Sequence, residues 1–174
     1  MSFLERFFGP KNDPAKDALR PLYDAAVAKA RALHWYERGG VPDTLDGRFE
    51  MVAAMLSLIL IRLEGEDGQD ENSVHLTEIF VDDMDGQLRE IGIGDMMVGK
   101  HIGRMMAALG GRMGAYREGL RDEGALAGAA ARNIFRTETA SEDAIGHVTG
   151  AIKGAKAKLD AMPVDMIIAG AADW

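Results

Sequence analysis

The chain has 174 residues, the length of one ordinary domain, and its apolar fraction of 47% excludes an intrinsically disordered protein. Its formal net charge of −8 argues against direct binding of nucleic acid, which requires a basic surface. The absence of cysteine excludes disulfides and thiolate metal sites, and it fits a reducing compartment such as the cytoplasm.

The pattern along the chain predicts an all-α fold, a single irregular bundle of about seven helices over residues 13–174. Residues 1–12 form a short amphipathic N-terminal segment, in which FLERFF favours packing on the bundle over contact with a membrane surface. A first helix is predicted after the cap and proline at Asp13-Pro14. It should kink or restart at Pro21 and end before Gly39-Gly40.

The next helix is predicted to begin at a cap formed by Asp43 or Thr44 and to end near Leu63. It contains the most apolar run of the chain, MVAAMLSLILI at residues 51–61. As a helix this run is about 17 Å long, much shorter than a hydrocarbon core of about 30 Å. We therefore expect the buried central helix of a soluble domain, with peripheral membrane contact at most.

A third helix is predicted over residues 73–91, after a polar loop. Ten acidic residues and one basic residue lie between Glu64 and Glu90, whereas the stretch from Gly99 to Arg121 has five basic residues and one acidic residue. The two stretches are expected either to face each other or to form a partner surface. The predicted inward stripe of the acidic helix is Val74, Ile79, Phe80, Met84, Leu88 and Ile91.

The stretch GIGDMMVGKH has the spacing of a phosphate-binding P-loop, from Gly94 to Gly99-Lys100. The P-loop hydroxyl residue is replaced by His101, and the preceding residues are helical, so we reject that interpretation. The glycines instead predict a joint, with Gly92 as a left-handed C-cap and Asp95 capping a new helix.

That helix should run from Met96 to about Leu120, and its many methionines would suit an adaptable client groove. We nevertheless expect most of these positions to pack in the core. The predicted inward residues of the helix are Met97, Val98, Ile102, Met105, Met106 and Leu109, and Met113 follows one turn later. Two alanine-rich helices are predicted at about residues 124–136 and 141–162. An apolar tail then follows Pro163.

Acidic residues offer one alternative function. Asp82, Asp83 and Asp85 resemble half of the magnesium site of helical isoprenoid synthases, so a small enzyme or carrier for an isoprenoid or quinone is conceivable. The second acidic motif is missing, and a solvated helix face is the simpler interpretation. His75, Glu78 and Asp82 share a helix face without forming a di-iron motif. We expect no metal, no cofactor and no catalytic residue.

Two segments carry a family resemblance: GVPDTLDGRFEMV at residues 40–52 and DMDGQLREIGIGDMMVGKHIGRM at residues 83–105. ARNIFR at residues 131–136 and the pair Gly111-Arg112 support it. The chain resembles the ubiquinol–cytochrome c chaperone family of mitochondria and alphaproteobacteria, most strongly over residues 23–136. An unusual Gly110 before Gly111-Arg112 leaves the shape of the partner surface open.

The resemblance implies a non-enzymatic chaperone that binds newly made cytochrome b during assembly of the bc1 complex. It also implies a possible partner in the ribosome or a small assembly protein, at the cytoplasmic face of the inner membrane. Charged side chains at the motif positions either bind the client or only stabilise the joints, and both alternatives stay open. The expected partner-binding residues are Pro42, Asp43, Asp46, Arg48, Asp85, Arg89, Glu90, Asp95 and Lys100, with Leu88 also in the motif. The expected structural turns are Gly47, Gly92, Gly94 and Gly99.

Overall fold

A computed structural model describes residues 13–90, 92, 95–136, 140–171 and 173–174, without the side chains of residues 95–98, 101, 102 and 123. The N-terminal segment 1–12 therefore lies outside the described residues. In the described ranges the fold is all-α and contains no strand, as the sequence predicts. None of the helices so described is both long and apolar enough to cross a membrane.

The first predicted helix is divided into three: α1 (Pro14–Ala18), α2 (Arg20–Ala30) and α3 (Leu33–Glu37). The Asp13 carboxylate accepts the Ala15 N–H at 3.0 Å and caps α1. The restart at Pro21 is confirmed, because α2 has a proline in its first turn. The sequence did not predict the second break, at Arg31. There the N–H groups donate to carbonyl oxygens three residues earlier, the tighter hydrogen-bond pattern that often ends an α-helix.

Helix α4 (Leu45–Leu63) is the centre of the domain. Thr44 caps it by accepting the Gly47 N–H at 3.1 Å. Every residue from Glu50 to Leu60 is buried, so this helix is covered on all sides, as expected for the central helix of a bundle. It contacts α2, α5 (Asp70–Glu90), α6 (Asp95–Gly119) and α8 (Glu142–Ala161).

Helix α5 begins at Asp70, three residues earlier than predicted. Ile79, Phe80 and Met84 are buried as predicted, whereas Val74 is 43% exposed. Ile91 lies outside the described residues. Val74 is exposed because it borders a surface groove between α4, α5 and α6 instead of facing α4 directly.

The C-terminal part packs back on the domain. Helix α7 (Glu123–Ala130) continues into a π-helical turn (Ala131–Phe135), and α9 (Val164–Ile168) lies within the predicted apolar tail. Gly170 has φ +83, and a Cβ there would lie 2.7 Å from the Pro21 Cβ. Only glycine therefore allows this close approach to α2. Trp174 is fully buried, and Lys29 donates to its carbonyl oxygen.

Candidate functional site

A groove opens where the start of α4, the end of α5 and the middle of α6 meet, and the residue after the π-helical turn also lines it. Its volume is about 240 Å³. Its apolar lining consists of Leu45, Phe49, Met84, Leu88, Met105 and Ala108. Its polar and charged lining consists of Asp46, Glu50, Gln87, Arg104, Arg112 and Arg136.

The floor of the groove is anchored by an ion pair between α4 and α6. The Arg112 guanidinium donates from Nε and Nη2 to the two carboxylate oxygens of Glu50. Glu50 is fully buried, and Arg112 is 9% exposed. The guanidinium carbon also lies 5.5 Å from the centre of the Phe49 ring. Buried charges are tolerated only when paired and hydrogen-bonded, so this bidentate contact fixes the relative position of the two helices.

One turn further along α6, Tyr116 is fully buried. Burial raises the pKa of its phenol far above the ordinary value, and the negative charge of Glu50 adds to the effect while Arg112 opposes it. The phenol therefore stays neutral at physiological pH. The region behind the ion pair is a buried, low-dielectric part of the core, in which water screens the attraction between the Glu50 and Arg112 charges only weakly.

The rim holds a second ion pair, between the Asp46 carboxylate and Arg136 Nη1 at 3.0 Å. Arg136 follows the π-helical turn, its N–H donates to the Ala131 oxygen at 3.0 Å, and its φ is +54. A non-glycine residue in this left-handed region is strained. The π turn and the left-handed residue together direct the chain so that Arg136 reaches the start of α4, and π turns often occur at functional sites.

Arg104 is the third arginine of the groove. It is exposed, and among the residues that the structure describes none forms an ion pair or hydrogen bond with it. The arginine side chains of the lining thus differ: Arg112 is held in the core and Arg136 at the rim, whereas Arg104 has no intramolecular partner in the described ranges.

Methionines line two grooves. Met105 is half-buried in the first, and Met106 and Met113 are half-buried in a second groove of about 380 Å³ between α4, α5 and α6. The favoured prediction for these residues was core packing. The structure instead leaves all three half-buried and open to a groove, and Met105 and Met113 also pack against the core. The side chains of Met96 and Met97 are outside the described set.

Of the predicted partner-binding residues, the structure brings Asp46 to the groove, and Leu88 of the same motifs lines it as well. Arg89 pairs with Asp85 at 2.7 Å. Arg48 pairs with Asp43 at 2.6 Å, and Asp46 contacts Arg136.

The remaining predicted residues lie outside the groove lining. Pro42 packs its carbonyl group against the first turn of α4, and Glu90 and Lys100 are exposed at the end of α5 and the start of α6. The Asp95 side chain is not among those described, so its capping role stays a prediction. Helix α6 begins at Asp95, one residue before the expected start.

The four expected turn glycines have different positions. Gly92 has φ +86 and its N–H donates to the Arg89 oxygen at 3.0 Å, so the predicted left-handed turn at the end of α5 is present. Gly94 lies outside the described residues. Gly47 lies in the first turn of α4 and Gly99 is the fifth residue of α6, so both are helical and neither forms a turn between helices.

The three aspartates Asp82, Asp83 and Asp85 of α5 contact three different side chains. Asp82 pairs with Lys16 at 2.6 Å, Asp83 accepts the Tyr23 hydroxyl at 2.7 Å, and Asp85 pairs with Arg89. Burial and then the Asp83 hydrogen bond raise the pKa of Tyr23 well above its ordinary value. The Asp82 and Asp83 contacts tie α1 and α2 to α5, and the Asp85–Arg89 pair lies within α5. Because their partners are separate, the three carboxylates do not converge on one point.

The histidine on the same helix, His75, lies beside carboxylates, but neither of its ring nitrogens has a hydrogen-bond partner among the described residues. His75 Nδ1 lies 3.6 Å from the Glu78 carboxylate, and Lys16 Nζ lies 3.7 Å from the same carboxylate. A lysine ammonium therefore occupies the position between Glu78 and Asp82 that a bound cation would need. The described part of the chain contains no group of three or more residues suited to hold a metal ion.

Sequence reasoning did not single out four charged residues of the groove: Glu50, Arg104, Arg112 and Arg136. One signal was available for Glu50, which directly precedes the uninterrupted apolar run 51–61. A carboxylate beside such a run faces burial and needs a cationic partner on another helix. Arg112 and Arg136 belong to segments that carried the family resemblance, but sequence alone does not show that they converge.

A helical domain that presents an apolar groove with a charged rim is typical of a module that binds a segment of another protein. The family model described as ubiquinol-cytochrome C chaperone matches residues 37–174, so the chain belongs to that chaperone family. The match extends past residue 136, where the strongest sequence resemblance ended, and includes α8 and α9.

A solved structure supports the same assignment. The chain is similar to the crystal structure of the Cbp3 homolog from Brucella abortus, with 30% sequence identity and a TM-score of 0.81. The alignment covers 92% of this chain and 90% of that one, so the fold is shared over almost the whole length of both. A comparison with curated proteins gave no match.

Proposed function

We propose that the protein is a non-enzymatic assembly chaperone of the ubiquinol–cytochrome c reductase (bc1) complex and that it binds newly made cytochrome b. Family membership and the similarity to the Cbp3 homolog support the chaperone role. The observation that carries the binding role is the groove between α4, α5 and α6, with its apolar floor fixed by Glu50 and Arg112.

The size and lining of this groove suit a few side chains of a protein segment. Its volume of about 240 Å³ lies below the range of about 300–1,000 Å³ that is common for small-molecule sites. Met84 and Met105 supply flexible thioethers that can adapt to different apolar side chains. Such a surface favours brief contact with a membrane-protein segment before that segment finds its place in the complex.

The motif residues outside the groove have a secondary part in the proposal. The Asp43–Arg48 and Asp85–Arg89 pairs lie near the ends of α4 and α5 that border the groove, and Asp43, Arg48 and Arg89 are exposed while Asp85 is half-buried. They are available to contact the flanks of a bound segment. Arg48→Ala separates the two roles: a lower melting temperature with unchanged client capture assigns Arg48 to the joint, and lost capture at an unchanged melting temperature assigns it to binding.

The proposed place of action is the cytoplasmic face of the inner membrane, where a peripheral chaperone can meet a client as it is made. Contact with the ribosome or with a small assembly protein belongs to the same proposal. The net charge of −8 favours ribosomal protein over ribosomal RNA as the point of such contact.

The test is recovery of the client from membranes of the protein's own host after mild crosslinking. Tagged wild-type protein should recover cytochrome b that has not yet entered the mature complex. Leu88→Glu, which puts a charge on the half-buried groove wall, should lose it. Met166→Glu makes the same kind of change at a side chain that is 52% exposed outside the groove, and it should behave like wild type.

Two results would contradict the proposal. If wild-type protein recovered quinone-pathway enzymes or lipid without cytochrome b, the chaperone role would be wrong for this chain. If Leu88→Glu kept its melting temperature and still recovered cytochrome b at the wild-type level, the client would bind elsewhere. A milder variant, Leu88→Ser, covers the case in which the glutamate variant does not fold.

A further inference from the structure

The net charge of the groove lining is positive, opposite in sign to the net charge of the whole chain. Three arginines, Arg104, Arg112 and Arg136, stand against two carboxylates, Asp46 and Glu50, in a protein with a net charge of −8. Each carboxylate is already paired with one arginine. The groove therefore carries one positive charge that the described part of the chain does not neutralise.

That charge is on Arg104. The residue lies four positions before Ala108 and eight before Arg112 on α6, so all three share one face of the helix. Met105, the next residue along α6, lines the apolar part of the groove. A bound segment whose apolar side chains contact Met105 would thus place its neighbouring side chains within reach of the Arg104 guanidinium.

We propose that the segment bound in the groove carries a carboxylate side chain beside its apolar residues, and that Arg104 binds this carboxylate. This inference rests on the proposed function and specifies the chemistry of the client. A carboxylate that leaves water at the edge of an apolar groove needs a cationic hydrogen-bond donor, and guanidinium is the best match in shape. Arg112 cannot bind the client's carboxylate, because its guanidinium is already paired with Glu50 in the core.

An acidic protein segment fits this site better than a phosphate or a lipid headgroup. Phosphate sites usually combine several cations with free N–H groups at the start of a helix. Arg104 lies in the interior of α6, where the backbone N–H groups are committed to the helix, and Asp46 neutralises Arg136 at the rim. One free guanidinium beside an apolar surface suits one carboxylate.

The test uses the full chain in host cells that make cytochrome b, with the photoreactive residue p-benzoylphenylalanine at position 87 in the groove wall. Arg104→Gln should lower the yield of the crosslink to cytochrome b about tenfold, the effect of losing one charge-assisted hydrogen bond. Arg104→Lys should retain most of the yield. Arg121→Gln, at an exposed arginine after the end of α6, is the matched control and should match wild type.

The crosslinked peptide then identifies the client segment. We expect an aspartate or glutamate within about one helical turn of its apolar residues, and replacing it with the amide should lower the yield as Arg104→Gln does. An undiminished crosslink in a folded Arg104→Gln protein would overturn the inference alone, and so would a segment without an acidic residue. If wild-type protein crosslinked no cytochrome b, or a lipid in its place, the proposed function would fail together with the inference.

Discussion

The Glu50 carboxylate and the Arg112 guanidinium form a bidentate ion pair in the core that joins α4 to α6 at the floor of the groove. Neither charge would be tolerated there alone, since the effective penalty for burying an unpaired ion is several kcal/mol. The pair therefore adds little net stability compared with a well-packed apolar pair, but it strongly favours one relative position of the two helices. Both walls of the groove depend on that position.

The first prediction concerns the loss of one partner of this pair. Glu50→Gln keeps the volume of the side chain but leaves the Arg112 charge buried and uncompensated, so the free energy of unfolding should fall by about 3–5 kcal/mol. Chemical denaturation followed by circular dichroism measures the change. Arg117→Gln breaks a more exposed pair, with Glu64 at 2.7 Å, and should cost less than about 1 kcal/mol. Equal losses in the two variants would show that the Glu50–Arg112 pair is not buried in solution.

The second prediction compares two glycines of the same sequence motifs. A Cβ at Gly47 would lie 2.0 Å from the Pro42 carbonyl oxygen, whereas a Cβ at Gly99 would meet nothing within 4 Å. Gly47→Ala must therefore push the segment before α4 away, and it should destabilise the fold by about 1–3 kcal/mol. Gly99→Ala should stabilise it by up to about 1 kcal/mol, because alanine favours the helical conformation. Thermal unfolding of both variants measures the difference, and a loss at Gly99 as large as that at Gly47 would contradict the helical position of Gly99.

The helices of this fold could be predicted because local chemistry specifies them. The apolar run after Glu50 requires burial, Gly92 requires a left-handed turn, and Pro163 ends α8 before Val164 begins α9. The break at Arg31 and the π-helical turn before Arg136 could not be predicted. They depend on packing between segments that are distant in the sequence and have no turn residue to indicate them.

The candidate site was less accessible from the sequence than the fold. Its motifs were recognised, but the groove is formed by side chains far apart in the sequence, such as Asp46 and Arg136, which are 90 residues apart. Pairing among charged residues depends on which of several neighbours lies nearest in three dimensions. Arg48 thus pairs with Asp43, while Asp46, which is nearer to it in the sequence and lies in the same helix turn, pairs with Arg136.

The third prediction addresses the acidic helix. If Asp82, Asp83 and Asp85 served a magnesium–diphosphate ligand, adding magnesium chloride and pyrophosphate would raise the melting temperature by mass action. We expect no rise, because these carboxylates are engaged with Lys16, Tyr23 and Arg89 and point to different partners. Differential scanning fluorimetry with magnesium alone, pyrophosphate alone and both together makes the test. A rise that requires both additions and is lost in Asp82→Asn would revive the isoprenoid or quinone alternative.

The last prediction concerns the contact between α3 and α8, where His34 Nδ1 lies 3.1 Å from His147 Nε2. Burial lowers the pKa of His34, and the positive charges of His147, Lys29 and Arg38 lower it further. Asp143 lines the same shallow pocket as His147 and Arg38. One ring must donate and the other accept in this contact, so adding a proton to both rings breaks it.

Since the folded state holds the pKa of His34 below its ordinary value of 6.5, the unfolded chain binds more protons in this range. The resulting stability is fully present above about pH 6.5 and is lost as the pH falls toward the lower pKa of the folded state. Wild-type protein should therefore melt at a lower temperature at pH 5.5 than at pH 7.5. Most carboxylates titrate near pH 4 and contribute little in that window. His34→Gln keeps a hydrogen-bonding side chain without the titration, and its melting temperature should vary less with pH. A wild-type melting temperature that rose on acidification would mean that the fold favours protonated His34, with the opposite sign of linkage.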